Sequence, residues 1–292
     1  MLGFLLVDKP LGWSSHDAVA KVRARLNTKR VGHSGTLDPL ATGLLVIAVG
    51  HATRFLNYLD LEPKGYLVEA TFGSATTTYD LEGEVTQTGA VPERLEAKIQ
   101  SVLPRFLGDI EQLPPLHSAV KVGGQKLYQY ARRGDTVEIP VRKVTISSVS
   151  IAKVADEKVT FQVDCGGGTF VRSLVHDIGH AIGCPAHVSG LRRTRLGEFH
   201  ADNAKDPSLV TADDLLPMTR ALANITQAKV GPEDVAGLRH GRMVASHTDE
   251  VGDVLLLDQN GEAVALAWCD GNLLRPKIVI PIGDRDPQPP AG

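Results

Sequence analysis

One carboxylate stands alone in the stretch RVGHSGTLDPLATGLLVIAVG, residues 30–50. Asp38 lies in a Gly/Thr/Pro loop just ahead of an unbroken apolar run at residues 44–49. Asp-Pro is a common turn dipeptide, so a purely structural turn competes with a chemical role. The neighbours narrow the chemistry. GHSGTLD has neither the spacing nor the lysine of a phosphate loop, GxxxxGK[ST]. It has no second carboxylate for metal-assisted phosphoryl transfer or for a glycosidase pair. What remains is a single carboxylate acting without metal, as nucleophile or base.

Three further clusters carry chemistry-bearing side chains. In DCGGGTFVRSLVHDIGHAIG, three glycines lead to Arg172 at a helix start. They read either as a backbone nest for an anion or as a tight strand-to-helix turn. A guanidinium there favours the ionised form of any carboxylate brought within about 4–6 Å, but spacing alone cannot bring residue 172 to residue 38. His176, His180, Cys184 and His187 have a spacing that places the first three on one helix face, as zinc ligands would be. Gly183 and Pro185 interrupt the helix where the last ligands are needed, and HExxH is absent, so helix-end histidines are the reading preferred. LRRTRLG, residues 191–197, is densely basic. It reads as a solvated strand edge or, with Arg23, Arg25, Lys29 and Arg30, as a phosphate-contacting surface.

The elements that must position these groups alternate between strands and helices. Residues 3–8 read as a strand. Ser14 caps the next helix with Asp17 at its third position, and Val19, Val22 and Leu26 form its apolar stripe. The 44–49 run reads as a buried strand and residues 52–59 as a short helix. KGYLVEATFG alternates cleanly, with Tyr66, Val68, Ala70 and Phe72 on one side. Pro92 is expected to open a helix whose Leu95, Ile99 and Val102 share a face. A Pro-rich loop and a cationic helix occupy 113–134, two strands follow at 141–153 and 158–164, and a helix is expected near 212–216. GDVLLLDQNGEAVALAWCDG reads as a hairpin turning at Asn260-Gly261. The pattern predicts an α+β fold: a large mixed, mainly antiparallel sheet flanked by helices, plus a small β-rich C-terminal domain. The expected boundaries are 1–224 and 225–292, and the tail GDRDPQPPAG reads as flexible.

Composition excludes several classes. The 292 residues carry a formal charge of −3, which argues against non-specific coating of nucleic acid. Residues 1–199 nevertheless hold 23 Lys and Arg against 20 Asp and Glu, and residues 200–292 hold 8 against 14. A polyanion is therefore expected on the first two-thirds. Three scattered cysteines suggest buried thiols rather than a disulfide framework or a zinc site. No apolar run nears the ~20 residues of a membrane helix, and MLGFLLVDKP lacks the basic start of a signal peptide. The expectation is a cytoplasmic protein without a membrane segment.

Read together, these segments resemble a known family. VGHSGTLDPLATGLL is similar to the catalytic loop of TruB-type tRNA pseudouridine synthases. LLVDKPLGWSSHDAV, KGYLVEATFGSATTTYDLEGEV, SAVKVGGQKLYQYARRG, GGGTFVRSLVHDIG and GCPAHVSGLRRTRLG resemble further family segments in the same order, spanning nearly all of residues 3–200. The last part is similar, more weakly, to a PUA-type RNA-binding domain. The resemblance implies isomerisation of uridine 55 in the tRNA T loop to pseudouridine. Asp38 would act on a flipped-out nucleotide, with neither metal nor organic cofactor. It further implies that Arg172 pairs with Asp38, that Tyr66 stacks on the base and takes part in proton removal, and that His33 holds the uridine out of the RNA stack. Asp80 would hydrogen-bond around the base and the tyrosine, and Lys121, in an RNA-binding insertion at about 112–140, would contact the backbone. Phe170 departs from the family's usual GTYxR, keeping a ring for packing but no hydroxyl. Arg192 and Arg193 are expected to bind phosphates. The implied partner is the T-arm stem-loop of tRNA, with a monomer expected and no obligatory protein partner. A non-catalytic RNA-binding protein with a structural Asp38 is the alternative.

Overall fold

A computed structural model describes residues 1–246, 248 and 250–281; the expected flexible tail falls outside them. The central sheet has nine strands, seven of which form its continuous path. These are β1 (Gly3–Lys9), β2 (Ala41–Val49), β3 (Lys64–Phe72), β4 (Gly108–Gln112), β5 (Arg142–Ala155), β6 (Lys158–Cys165) and β7 (Ala186–Leu196). Their spatial order is β1-β2-β7-β3-β6-β5-β4. Neighbours on the path pair antiparallel except β2 and β7, which run parallel where Leu191, Arg192 and Arg193 meet Ala41, Thr42 and Gly43. The expected mixed, mainly antiparallel sheet is present.

The continuous apolar run of β2 has a simple cause. Side chains alternate across a strand, and both faces of this one are covered. Leu44, Val46 and Ala48 join Phe4, Phe55 and Leu222 on one face. Leu45, Ile47 and Val49 join Leu5, Val7, the stripe Val19 and Val22 of helix α1 (Ser15–Arg25) and its C-cap Leu26 on the other. A strand buried on both faces reads as an unbroken hydrophobic run. Helix α1 starts with the expected capping box: the Asp17 N–H donates to Ser14 Oγ, and the Ser14 N–H to the Asp17 carboxylate. Further along the sheet, α2 (Leu95–Val102) and α3 (Val171–Ala181) bury Leu95, Ile99, Leu174, Val175 and Ile178 against Val68, Ala70, Phe72 and Phe161.

A second, five-stranded sheet holds β8 (Thr226–Lys229), β9 (Val244–Ala245), β10 (Val251–Leu257), β11 (Ala263–Asp270) and β12 (Leu273–Val279). β10 and β11 form the expected hairpin, with Gly261 at φ +82° and the Asp258 carboxylate accepting from the N–H groups of Asn260 and Glu262. This sheet packs Leu255, Leu257, Leu266 and Ile278 onto the same core as Phe4 and Leu44.

The short helix expected at 52–59 is present as a 3₁₀ helix, Gly50–Tyr58. Two element readings are corrected. Helix α2 begins after Arg94, leaving Pro92 outside it. Around 212–216 there is only a 3₁₀ turn, Ala212–Asp214, followed by the one-turn helix Met218–Ala221. Short segments like these follow tertiary contacts more than local propensity.

Candidate active site

Asp38 sits where three elements converge. The Ala41 N–H donates to its backbone carbonyl, and the Gly12 N–H to that of Pro39. On the preceding side, buried Ser15 of α1 accepts from the Leu37 N–H at 2.8 Å and donates to the Leu37 carbonyl at 3.3 Å. The loop is thus fastened on both sides of the aspartate, whose carboxylate stays open with 40% of its side chain exposed. It lines a cavity of about 540 Å³ with Tyr66, Lys121, Arg142, Phe170, Arg172 and Leu191.

Arg172, in the first turn of α3 and only 7% exposed, supplies the counter-charge. Its Nη2 lies 2.9 Å from Asp38 Oδ2 and donates to the His117 carbonyl at 3.1 Å. Its Nη1 donates to Asp80 Oδ2 and to the Thr78 carbonyl, each at 3.0 Å. The guanidinium fork therefore joins two carboxylates, one open to the cavity and one buried. Such planar, multi-donor geometry is what arginine offers and lysine does not.

Asp80 takes a different place from the one expected. Its side chain is 2% exposed, and its carboxylate accepts from Arg172, from Thr78 Oγ1 at 2.5 Å and from the Glu82 N–H at 3.0 Å. It is sealed behind the arginine and does not line the cavity. Its carboxylate holds the guanidinium.

Tyr66, on β3, presents its ring to the cavity from the strand beside β7. Burial pushes its hydroxyl above the ordinary range, and the positive charge of Arg193 opposes that shift. This overturns the phosphate-contact reading of Arg193. The side chain is 2% exposed, turned inward, with Nε donating to the Leu44 carbonyl at 2.8 Å. Arg192 points the other way along the same strand and grips Asp8 through two hydrogen bonds of 2.9 and 2.8 Å. Period-two alternation separates the two arginines.

His33 lies in the short strand Val31–His33, paired with β2, and its ring meets His16 edge-on with centroids 5.5 Å apart. Burial, with His16 nearby, holds it below the usual histidine range. Lys121 is exposed on a two-stranded ribbon, Lys121–Val122 with Gln125–Lys126, at the cavity's edge. Phe170 precedes α3 with its backbone clamped by the buried Gln112 side chain. Gln112 Oε1 accepts the Phe170 N–H at 2.7 Å, and Nε2 donates to its carbonyl at 3.0 Å. Three of the four residues weighed as metal ligands have separate engagements: His176 stacks on Tyr79, His187 Nδ1 contacts the Ser74 carbonyl, and Cys184 Sγ the Pro185 carbonyl.

Sequence reading passed over Ser15, Gln112 and Lys9. Lys9 is wholly buried, its ammonium donating to the carbonyls of Trp13 and Pro10, and burial lowers its pKa to about 8 against the pull of Asp38. Its signal was present: alternation along β1 places residue 9 on the inward side with Leu5 and Val7. Ser15 and Gln112 gave none, since each serves a partner distant in sequence.

With this geometry in view, comparison with known proteins settles the lineage. The N-terminal domain of the TruB family pseudouridylate synthases matches residues 23–171, and the tRNA pseudouridylate synthase B C-terminal domain matches residues 172–230. The chain belongs to the TruB family of pseudouridylate synthases. Similar relatives include tRNA pseudouridine synthase B of Halalkalibacterium halodurans, 43% identical over 84% of this chain and 85% of its own. That of Thiobacillus denitrificans is 39% identical over 95% of each chain. Among solved structures, one of a Cbf5-Nop10-Gar1 complex matches with a TM-score of 0.69 at 27% identity, covering 95% of this chain and 84% of that one. The molecule is an RNA-modifying isomerase, and the Asp38 cavity is its candidate active site.

Proposed function

We propose that this synthase converts uridine 55 in the T loop of tRNA to pseudouridine, with Asp38 acting on a nucleotide flipped into the cavity. The observation that carries the reading is the half-open Asp38 carboxylate held 2.9 Å from an otherwise buried guanidinium, beside an aromatic ring. A base within folded RNA has to leave its stack to be reached, and a flat side chain receives it; Tyr66 has that place. The isomerisation breaks the N1–C1′ bond, forms C5–C1′, and replaces the C5 proton with one on N1. No atom or electron is gained, so neither an electron acceptor nor an external nucleophile is required. Arg172 aims the Asp38 carboxylate and lies opposite it as counter-charge; Asp80, Thr78 and His117 keep Arg172 in place. His33, Lys121 and Arg192 are assigned to holding the RNA, with Phe170 packing beside the base. The relatives' names support tRNA as the substrate; the T arm and position 55 rest on the loop resemblance.

Asp38→Asn is the decisive variant, because it keeps size and hydrogen bonding while removing the charge. Tritium release from a T-arm hairpin labelled at uridine C5 should fall to background while hairpin binding is retained. Undiminished release would overturn the assignment and leave an RNA-binding protein with a structural aspartate.

A further inference from the structure

Tyr79 adopts φ +62°, the left-handed region, which is rare for an aromatic side chain and tends to persist where the surroundings demand it. Its two neighbours are the residues that grip Arg172 Nη1, Thr78 through its carbonyl and Asp80 through its carboxylate. Its own carbonyl accepts from the Val188 N–H at 3.0 Å, and Asp80 bridges to Val188, so the turn is also tied to β7. The ring of Tyr79 is left to stack on His176, with centroids 3.9 Å apart and planes 11° from parallel.

His176 follows Arg172 by one helical turn, and residues four apart share a helix face. The turn 78–80 therefore holds α3 at two successive levels, through the guanidinium at Arg172 and through the aromatic stack at His176. The imidazole contributes as a ring. Its Nδ1 is buried without a hydrogen-bond partner, and burial lowers its pKa from the ordinary histidine value, which favours the neutral ring.

We propose that the Tyr79–His176 stack is a positioning device for the active site: it sets the distance between the 78–80 turn and α3, and so fixes where the Arg172 guanidinium meets Asp38. Without the stack, the contact left between the turn and α3 among those described is that of the arginine, and the fork that must reach both carboxylates loses its second anchor. The inference rests on Asp38 being the catalytic carboxylate.

The test compares His176→Ala, His176→Leu and His176→Phe in the full chain, with Asp38→Asn alongside. Single-turnover tritium release is measured on saturating T-arm hairpin, below every variant's melting midpoint, with hairpin binding measured separately. Misplacement of a catalytic group by a fraction of an ångström is costly, so His176→Ala should slow release by about 10-fold or more. Binding should stay within about twofold, which places the loss in the chemical step. His176→Leu keeps apolar volume without a flat face and should behave like alanine. His176→Phe restores the flat face, removes the orphaned nitrogen and should return the rate to within about threefold of the parent. An unchanged rate in His176→Ala, a rate not restored by phenylalanine, or a parallel loss of binding would each overturn the proposal. If Asp38→Asn itself releases tritium normally, the catalytic reading has failed instead; an inactive Asp38→Asn beside a fully active His176→Ala refutes the stack alone.

Discussion

Replacing Arg172 with lysine preserves the charge and removes the fork, which separates the two. The guanidinium makes four contacts: Asp38 at 2.9 Å, Asp80 and the Thr78 carbonyl at 3.0 Å, and the His117 carbonyl at 3.1 Å. An ammonium on a shorter stem has three donors radiating from one atom, so it cannot span partners lying on both arms of the fork. Hydrogen bonds to charged groups are worth about 1.5–3 kcal/mol each. The Asp38 contact faces an open carboxylate, so solvent screening places it near the lower end, about 1.5–2 kcal/mol. At about 1.4 kcal/mol per decade this is a rate loss of roughly 10- to 30-fold if the interaction is lost in the transition state. The buried contacts to Asp80, Thr78 and His117 fall on folding instead, at about 2–4 kcal/mol, because their oxygens stay buried with fewer donors. The assay is single-turnover tritium release at saturating RNA, with thermal melting on the same samples. A folded Arg172→Lys protein that keeps a rate within threefold of the parent would show that the shape of the fork does not matter, and the network described above would lose its chemical meaning.

Two predictions concern the same helix. Burial raises the Asp177 pKa from 3.8 to about 6. The folded state therefore retains a proton that the unfolded chain has released between those pH values. Stability should fall as pH rises through that window, with a cost of at most about 3 kcal/mol above pH 6. Asp177→Asn should accordingly raise the melting midpoint at pH 7.5 and lose that advantage by pH 4; a gain independent of pH contradicts the cause given. Gln112→Leu removes the partner, at 2.7 Å, of the part-buried Phe170 N–H. A loss of about 1–3 kcal/mol is expected in urea unfolding, and an unaltered unfolding midpoint would show that water or another group replaces the glutamine.

Local patterns were readable and distant pairings were not. The alternation of residues 64–72, the capping box of Ser14 with Asp17 and the turn at Asn260-Gly261 each depend on groups a few positions apart. Their physics is contained in the segment that shows it. Asp38 and Arg172 meet only through the sheet, and their pairing was reached through resemblance of whole motifs, not through spacing. Arg193 was misplaced because LRRTRLG was weighed as one basic cluster. Read as a strand, it sends neighbouring arginines to opposite faces, one to Asp8 and one inward to Tyr66. Asp80 is placed near the base by the resemblance alone, and nothing in its own segment shows the buried cation opposite it that permits its burial.

The parallel seam between β2 and β7 carries a consequence for how the molecule comes into being. β2 continues directly from the Asp38 loop, while β7 follows the helix bearing Arg172, and the two strands register at Leu191–Ala41. Closing so long an intervening loop is entropically costly and slow relative to forming hairpins or helices. During synthesis the acid loop leaves the ribosome long before the strand that completes its setting. A nascent chain ending short of β7 therefore lacks the strand that pairs with β2 beside the Asp38 loop, and the surroundings of that loop are completed only after Arg193 has been made.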